Sequence, residues 1–165
     1  MREVSISDFK ENPFTLIGDE WFLIAIEKDG KTNTMTASWG GLGVMWNRNV
    51  ISVYIRPSRY TKQFVDSESK FSVCVLPKNY RDVMSYCGKY SGRDKDKISE
   101  CKLTVVHGFD TVWLKESRLV FICRKLYTQP MDSSMLLEKD LKEKFWKDDI
   151  HTLYIAEIEK MLLED

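Results

Sequence analysis

The sequence predicts a mainly β domain with a few helices, folded as a closed or nearly closed antiparallel barrel. Seven short segments are β-branched, aromatic and alternating, the pattern of strands with a buried face. Only three segments carry a helical period, too few to follow most strands as a doubly wound sheet requires. Neither a glycine-rich dinucleotide fingerprint nor a Walker-type phosphate loop occurs in the sequence.

The expected strands, in chain order, are Trp21–Glu27, Thr34–Trp39, Val50–Arg56, Phe71–Leu76, Lys102–Val106, Leu119–Leu126 and Ile150–Ile158. Asp29-Gly30 and Gly40-Gly41 read as turns between the early strands. A helix over Ser58–Ser67 gathers Tyr60, Phe64 and Val65, and one over Asn79–Tyr90 gathers Val83, Met84 and Cys87. A third, Ser134–Trp146, repeats Leu137, Leu141 and Phe145 at a spacing of four. Its charged face reads as solvated or, alternatively, as part of a lid over a substrate. No repeat, low-complexity tract or linker interrupts the chain, so residues 1–165 read as one domain.

Composition narrows the function classes. Apolar residues make up 43% and charged residues 30%, enough to bury a core and too balanced for disorder. Lys plus Arg is 25 and Asp plus Glu is 25, so no excess positive charge supports coating of nucleic acid or of a membrane surface. The cysteines at 74, 87, 101 and 123 form no zinc-ribbon or thioredoxin-like pair, and with only His107 and His151 no metal site is expected. Free thiols and an N-terminus without a secretory apolar stretch suggest a cytoplasmic protein. The longest apolar run, Trp21 to Ile26, is too short to span a bilayer.

Three stretches carry chemistry. In Val50 to Phe64 a strand is stopped at Pro57, which has no amide proton, and Ser58 is placed as a helix N-cap. A helix start offers free N–H groups, and Arg59 there has the wrong sign for the dipole unless an anion binds. The competing reading is an ordinary strand-turn-helix with a solvated arginine. In Asn33 to Gly41, Thr34, Thr36, Ala37 and Ser38 leave the backbone reachable for the edge of a flat heteroaromatic ring, or are small because two sheets approach closely. Ser91 to Lys97 offers Arg93 and Lys97 offset by Asp94 and Asp96, either a solvated loop or a flap over a phosphate or anionic ring.

These stretches, in this order, resemble the flavin reductase-like family that folds as an FMN-binding split barrel, a Greek-key antiparallel barrel, with flavoredoxin-type proteins the nearest in kind. The matching pieces are NTMTASW at 33–39, RPSRYT at 56–61, SGRDKDK at 91–97 and HTLYIAEI at 151–158. The resemblance implies non-covalent FMN, with Thr36, Ala37, Ser38 and Trp39 along the isoalloxazine. It implies that Arg56, Ser58, Arg59, Tyr60 and Thr61 serve the phosphate and ribityl chain, and that Ser91, Arg93 and Lys97 complete the site. It also implies a homodimer with FMN near the interface, and an oxidoreductase that passes hydride or electrons from a nicotinamide or protein donor to a small acceptor. NAD(P)H is then a co-substrate.

The sequence departs from the family where many members carry Gly-Asp-His, the position here holding Asp149, Ile150 and His151. His151 is therefore either a catalytic residue on the nicotinamide side or a strand-start residue bonded to backbone. Two further readings stay open: an FMN-binding electron carrier without a substrate site, and a small barrel binding single-stranded nucleic acid through aromatics.

Overall fold

The computed structural model describes residues 1–146 and 149–165. Its strands are β1 (Arg2–Val4), β2 (Phe22–Lys28), β3 (Lys31–Ala37), β4 (Gly40–Met45), β5 (Arg48–Ile55), β6 (Lys70–Val75), β7 (Val105–Gly108), β8 (Thr111–Leu114), β9 (Leu119–Pro130) and β10 (Thr152–Leu163). The helices are α1 (Pro13–Thr15), running into a π turn at Leu16–Glu20, then α2 (Thr61–Ser67), α3 (Arg81–Lys89), α4 (Lys97–Glu100) and α5 (Lys139–Phe145).

One antiparallel sheet has the order β3-β2-β6-β9-β10-β5-β4, with β1 added to β10; β7 and β8 form a separate hairpin. The β5–β6 connection skips two strands, as in a Greek key. The sheet begins at β3 and ends at β4, yet only Ser38 and Trp39 separate these strands in the chain. Two residues of chain reach only about 7 Å beyond each strand end, so the two edges must curl toward one another. The barrel seam therefore lies at residues 38–39.

The interior is filled by alternate residues of each strand: Phe22, Ile24 and Ile26 of β2, Phe71, Val73 and Val75 of β6, Ile51, Val53 and Ile55 of β5. The intervening Leu23 and Ala25 of β2, Cys74 of β6, and Val120 and Ile122 of β9 form a second cluster on the outer face, under Met84 and Cys87 of α3. Strands covered on both faces read as continuous apolar runs, as Trp21 to Ile26 does. Each fully buried large side chain contributes about 1.5–3 kcal/mol.

Six of the seven expected strands are present with shifted ends, while of Lys102–Val106 only Val105 and Val106 fall in a strand, β7, because Lys102 turns with a φ of 54°. Gly40-Gly41 is not a turn but opens β4. A Cβ at Gly40 would sit 2.6 Å from the Ser52 carbonyl, so the glycine is there for close strand approach. The turn falls at Trp46-Asn47, both with positive φ (52° and 55°), as a two-residue hairpin requires. The first helix starts at Thr61 rather than after Ser58, because the Arg59 N–H closes a turn onto the Arg56 carbonyl. The third shrinks to α5, and Leu137 lies outside it, fully exposed. The strands β1, β4 and β8 escape the sequence pattern: two are very short, and β4 is mostly glycine and exposed residues.

Candidate functional site

The small residues of β3 end at the seam. The Thr36 hydroxyl donates to the Met84 carbonyl and ties β3 to α3. As an edge strand, β3 leaves every second backbone N–H and C=O without a strand partner. Beyond it Trp39, partly exposed, stacks on His151 with ring centroids 4.7 Å apart, and Phe145 meets the indole edge-on at 5.4 Å. Thr36, Ala37, Ser38, Trp39, Arg56, Ser58, Arg59 and His151 line one cavity of about 370 Å³ together with Met35, Tyr54 and Phe145.

His151 sits between two donors. Trp146 Nε1 approaches Nδ1 at 3.0 Å and Arg56 Nε approaches Nε2 at 3.3 Å. A neutral imidazole has one acceptor nitrogen, so both contacts cannot be hydrogen bonds at once. The shorter contact places the acceptor at Nδ1 and the ring proton at Nε2. Burial, and next the Arg56 charge, hold the His151 pKa down to about 4. Adding a proton would turn both ring nitrogens into donors facing donors.

A second cavity of about 200 Å³ continues from the first, Ser58 and Arg59 lining both. Tyr60, Thr61, Ser91 and Lys97 line it, with Lys89, Tyr90 and Gly92. Arg59 Nη1 donates to the Gly88 carbonyl at 2.6 Å and Nη2 to the Cys87 carbonyl at 3.4 Å. Lys97 Nζ donates to the same Cys87 carbonyl at 3.3 Å. Lys97 is 3% exposed. Among the described residues neither cation forms an ion pair with a carboxylate; the two positive charges meet at the carbonyl end of α3, whose dipole offsets them in part. Burial, with the Arg59 charge adding to it, pushes Lys97 down to about 8, and burial also lowers Arg59.

The remaining expected residues stand around this corner. Thr61 is buried and accepts from Asn33 Nδ2 at 2.8 Å. Arg93 lines neither of these cavities but a neighbouring one, with its Nη1 on the Ser58 carbonyl at 3.2 Å and its guanidinium 5.0 Å from the Tyr60 ring centroid; the Ser91 hydroxyl accepts from the Arg93 N–H at 3.2 Å. Ser58 is held by Asp149, which accepts from its hydroxyl and, at 3.2 Å, from its N–H. A Cβ at Gly92 would collide with Asn33 Oδ1 at 2.2 Å, so only glycine lets the 91–97 loop close on β3.

Sequence reasoning missed Tyr54, Phe145, Trp146 and Asn33. Tyr54 was visible as the outward member of an alternating strand; Asn33 lay inside the quoted NTMTASW piece; the position of Trp146 against His151 has no local signal. All four cysteines are free. Among the described residues no helix is long and apolar enough to cross a membrane, and no three or more His, Cys, Asp or Glu side chains are placed to hold a metal.

Comparison with known proteins follows the same geometry. Flavoredoxin from Methanosarcina acetivorans superposes with a TM-score of 0.72 at 23% identity, over 88% of this chain and 69% of its own. Flavoredoxin of Desulfovibrio vulgaris (Miyazaki F) gives 0.70 at 22% identity, with coverages of 88% and 69%. The FMN-binding domain of a flavin reductases-like enzyme from Shewanella baltica gives 0.70 at 16% identity, over 97% and 75%. No curated protein matches the chain. These structures share the split-barrel fold. The model of the flavin reductase like domain matches residues 19–165, and the chain belongs to that family.

Proposed function

We propose that this protein is an FMN-binding oxidoreductase of the flavin reductase and flavoredoxin type, passing electrons from a nicotinamide or protein donor to a small acceptor. One observation carries the reading: buried Lys97 and half-buried Arg59 stand at one corner, neither in an ion pair with a carboxylate among the described residues, and the cavity they line opens into an aromatic cleft. Buried charge is stable only when paired, so the corner calls for an anion. A phosphate fits it, and a flat ring fits the neighbouring cleft beside the free edge of β3.

In this reading Arg59 and Lys97 hold the phosphate, with Arg93 completing the site from the neighbouring cavity. Arg56, Ser58, Tyr60, Thr61 and Ser91 serve the phosphate and sugar-alcohol chain. Thr36, Ala37, Ser38 and Trp39 line the ring, and His151 stands on the nicotinamide side. Bound FMN supplies the electron transfer. The chain supplies placement: the cations fix the charged tail, and the β3 backbone meets the polar edge of the ring. His151, kept neutral, gives no proton; it supports Trp39 by stacking and accepts from Trp146.

The reading extends to one domain over residues 1–165 acting as a cytoplasmic homodimer. Exposed Val44 and Trp46 at the β4–β5 tip support a second copy. A second functional reading, an electron carrier without its own substrate site, is favoured by the burial of His151 under Trp39 and Trp146. The visible spectrum tests the cofactor: two flavin bands that bleach with dithionite are expected, and a protein that stays colourless with added FMN overturns the proposal. Saturable oxidation of NADH or NADPH separates enzyme from carrier.

A further inference from the structure

A third cavity, of about 540 Å³, lies on the other side of the seam. Its walls are Phe14 and Ile17 from the α1 segment, Leu42 of β4, Met131 after β9, and Trp146. Ser38, Trp39 and Tyr54 line both this cavity and the cleft assigned above to the ring, so the two share one partition. No lining residue is charged. The α1 wall is held in place by Arg118, whose Nη1 and Nη2 meet Glu11 at 2.7 and 2.8 Å and whose Nη2 meets Glu20 at 2.7 Å. The polar side chains on the lining are Ser38, Tyr54 and Trp146. The Trp146 N–H is spent on His151. The Ser38 and Tyr54 hydroxyls have no hydrogen-bond partner among the described residues.

We propose that this cavity is a binding site for a small, neutral aromatic molecule carrying a hydroxyl or carbonyl oxygen. Four aromatic rings (Phe14, Trp39, Tyr54 and Trp146) offer stacking and edge contacts to a flat apolar body. With no cation in the lining, a carboxylate or sulfonate turned toward Ser38 and Tyr54 would lack a charged partner, so a neutral molecule is preferred. The oxygen turns toward Ser38 and Tyr54, at the partition, and so toward the ring cleft. That this molecule is the electron acceptor rests on the flavin reading above; its binding does not.

The test titrates 2-naphthol and 2-naphthalenesulfonate into the full-length protein by calorimetry, with and without saturating FMN. The expected result is one naphthol per chain, retained with FMN, and sulfonate bound at least tenfold more weakly. Phe14 is exposed, so Phe14→Asp leaves folding intact; it should weaken naphthol at least tenfold and leave the FMN dissociation constant unchanged. Equal affinity for the two probes, loss of naphthol binding with FMN, or an unaffected Phe14→Asp variant overturns the site. So does a wild-type dimer that Phe14→Asp converts to monomer, since the groove is then closed by a second copy. If FMN fails to bind while naphthol behaves as expected, the flavin reading falls and the aromatic site stands.

Discussion

Arg59 Nη1 donates to the Gly88 carbonyl at 2.6 Å, so the arginine between β5 and α2 closes the C-terminal end of α3. A cation there is favoured by the helix dipole, and the same guanidinium faces the cavity shared with Lys97. One side chain thus joins two elements far apart in sequence and forms the corner where an anion fits.

Arg59→Ala should therefore weaken FMN binding by about 1–3 kcal/mol, the range for a charged hydrogen bond, and also lower stability through the lost α3 link. Arg59→Lys keeps the charge but not the fork and should fall between. Quenching of FMN fluorescence reads the first effect and a denaturant midpoint the second. An unchanged dissociation constant in the alanine variant removes Arg59 from the site.

Lys97 makes FMN affinity pH-dependent. Its pKa in the free protein is pushed down to about 8, so above that pH the site loses one positive charge before the phosphate arrives. The dissociation constant should be level between about pH 7 and 8, above the second phosphate pKa, and rise by up to about tenfold per pH unit above pH 8. Stability of the free protein moves the other way. The unfolded lysine holds its proton to higher pH than the folded one, so stability rises as pH climbs from about 8 toward the ordinary lysine value. Lys97→Met should abolish both slopes; a wild-type affinity profile that is level through pH 9 to 10 would refute the assignment.

His151 should be silent as an acid. With a folded pKa near 4 against an ordinary 6.5, turnover at saturating FMN should show no His151 inflection near pH 6.5. The unfolded chain takes up this proton first, so stability is full above pH 6.5 and falls as pH drops toward about 4. His151→Gln keeps an acceptor for Trp146 and should shallow that acid slope. Melting temperatures across the range decide it, and NMR titration of the ring checks it directly.

Gly40→Ala tests the seam. The new Cβ would stand 2.6 Å from the Ser52 carbonyl, a backbone atom that can move only by shifting β5. A loss of about 1–3 kcal/mol is expected in chemical denaturation, as for overpacking elsewhere. Gly43→Ala, with nothing within 4 Å of its Cβ, is the control and should cost well under that.

Much of this was legible in the letters. Period-two alternation in Val50 to Ile55 marked a strand, and in the structure Ile51, Val53 and Ile55 form its core face while Tyr54 lines the cleft. The end of β5 at RPSRYT was legible, because Pro57 must stop a ladder wherever it stands. The helix start did not follow: Ser58 is drawn off by Asp149, a partner distant in sequence that no local capping rule anticipates. For Lys97 the letters left two readings open, a solvated loop or a flap over an anion, and the fold buries it against the end of α3.

Sequence alone determined the strands, the apolar inner face and the stretches that converge on the cleft, because hydrogen-bonding capacity and side-chain alternation are local properties. Only the tertiary structure decided that two cations share one corner, that His151 lies between two donors, and that Trp39 divides a polar cleft from an apolar one. Those facts depend on desolvation and on distances between residues far apart in the chain, and both come into being only when the barrel closes on itself.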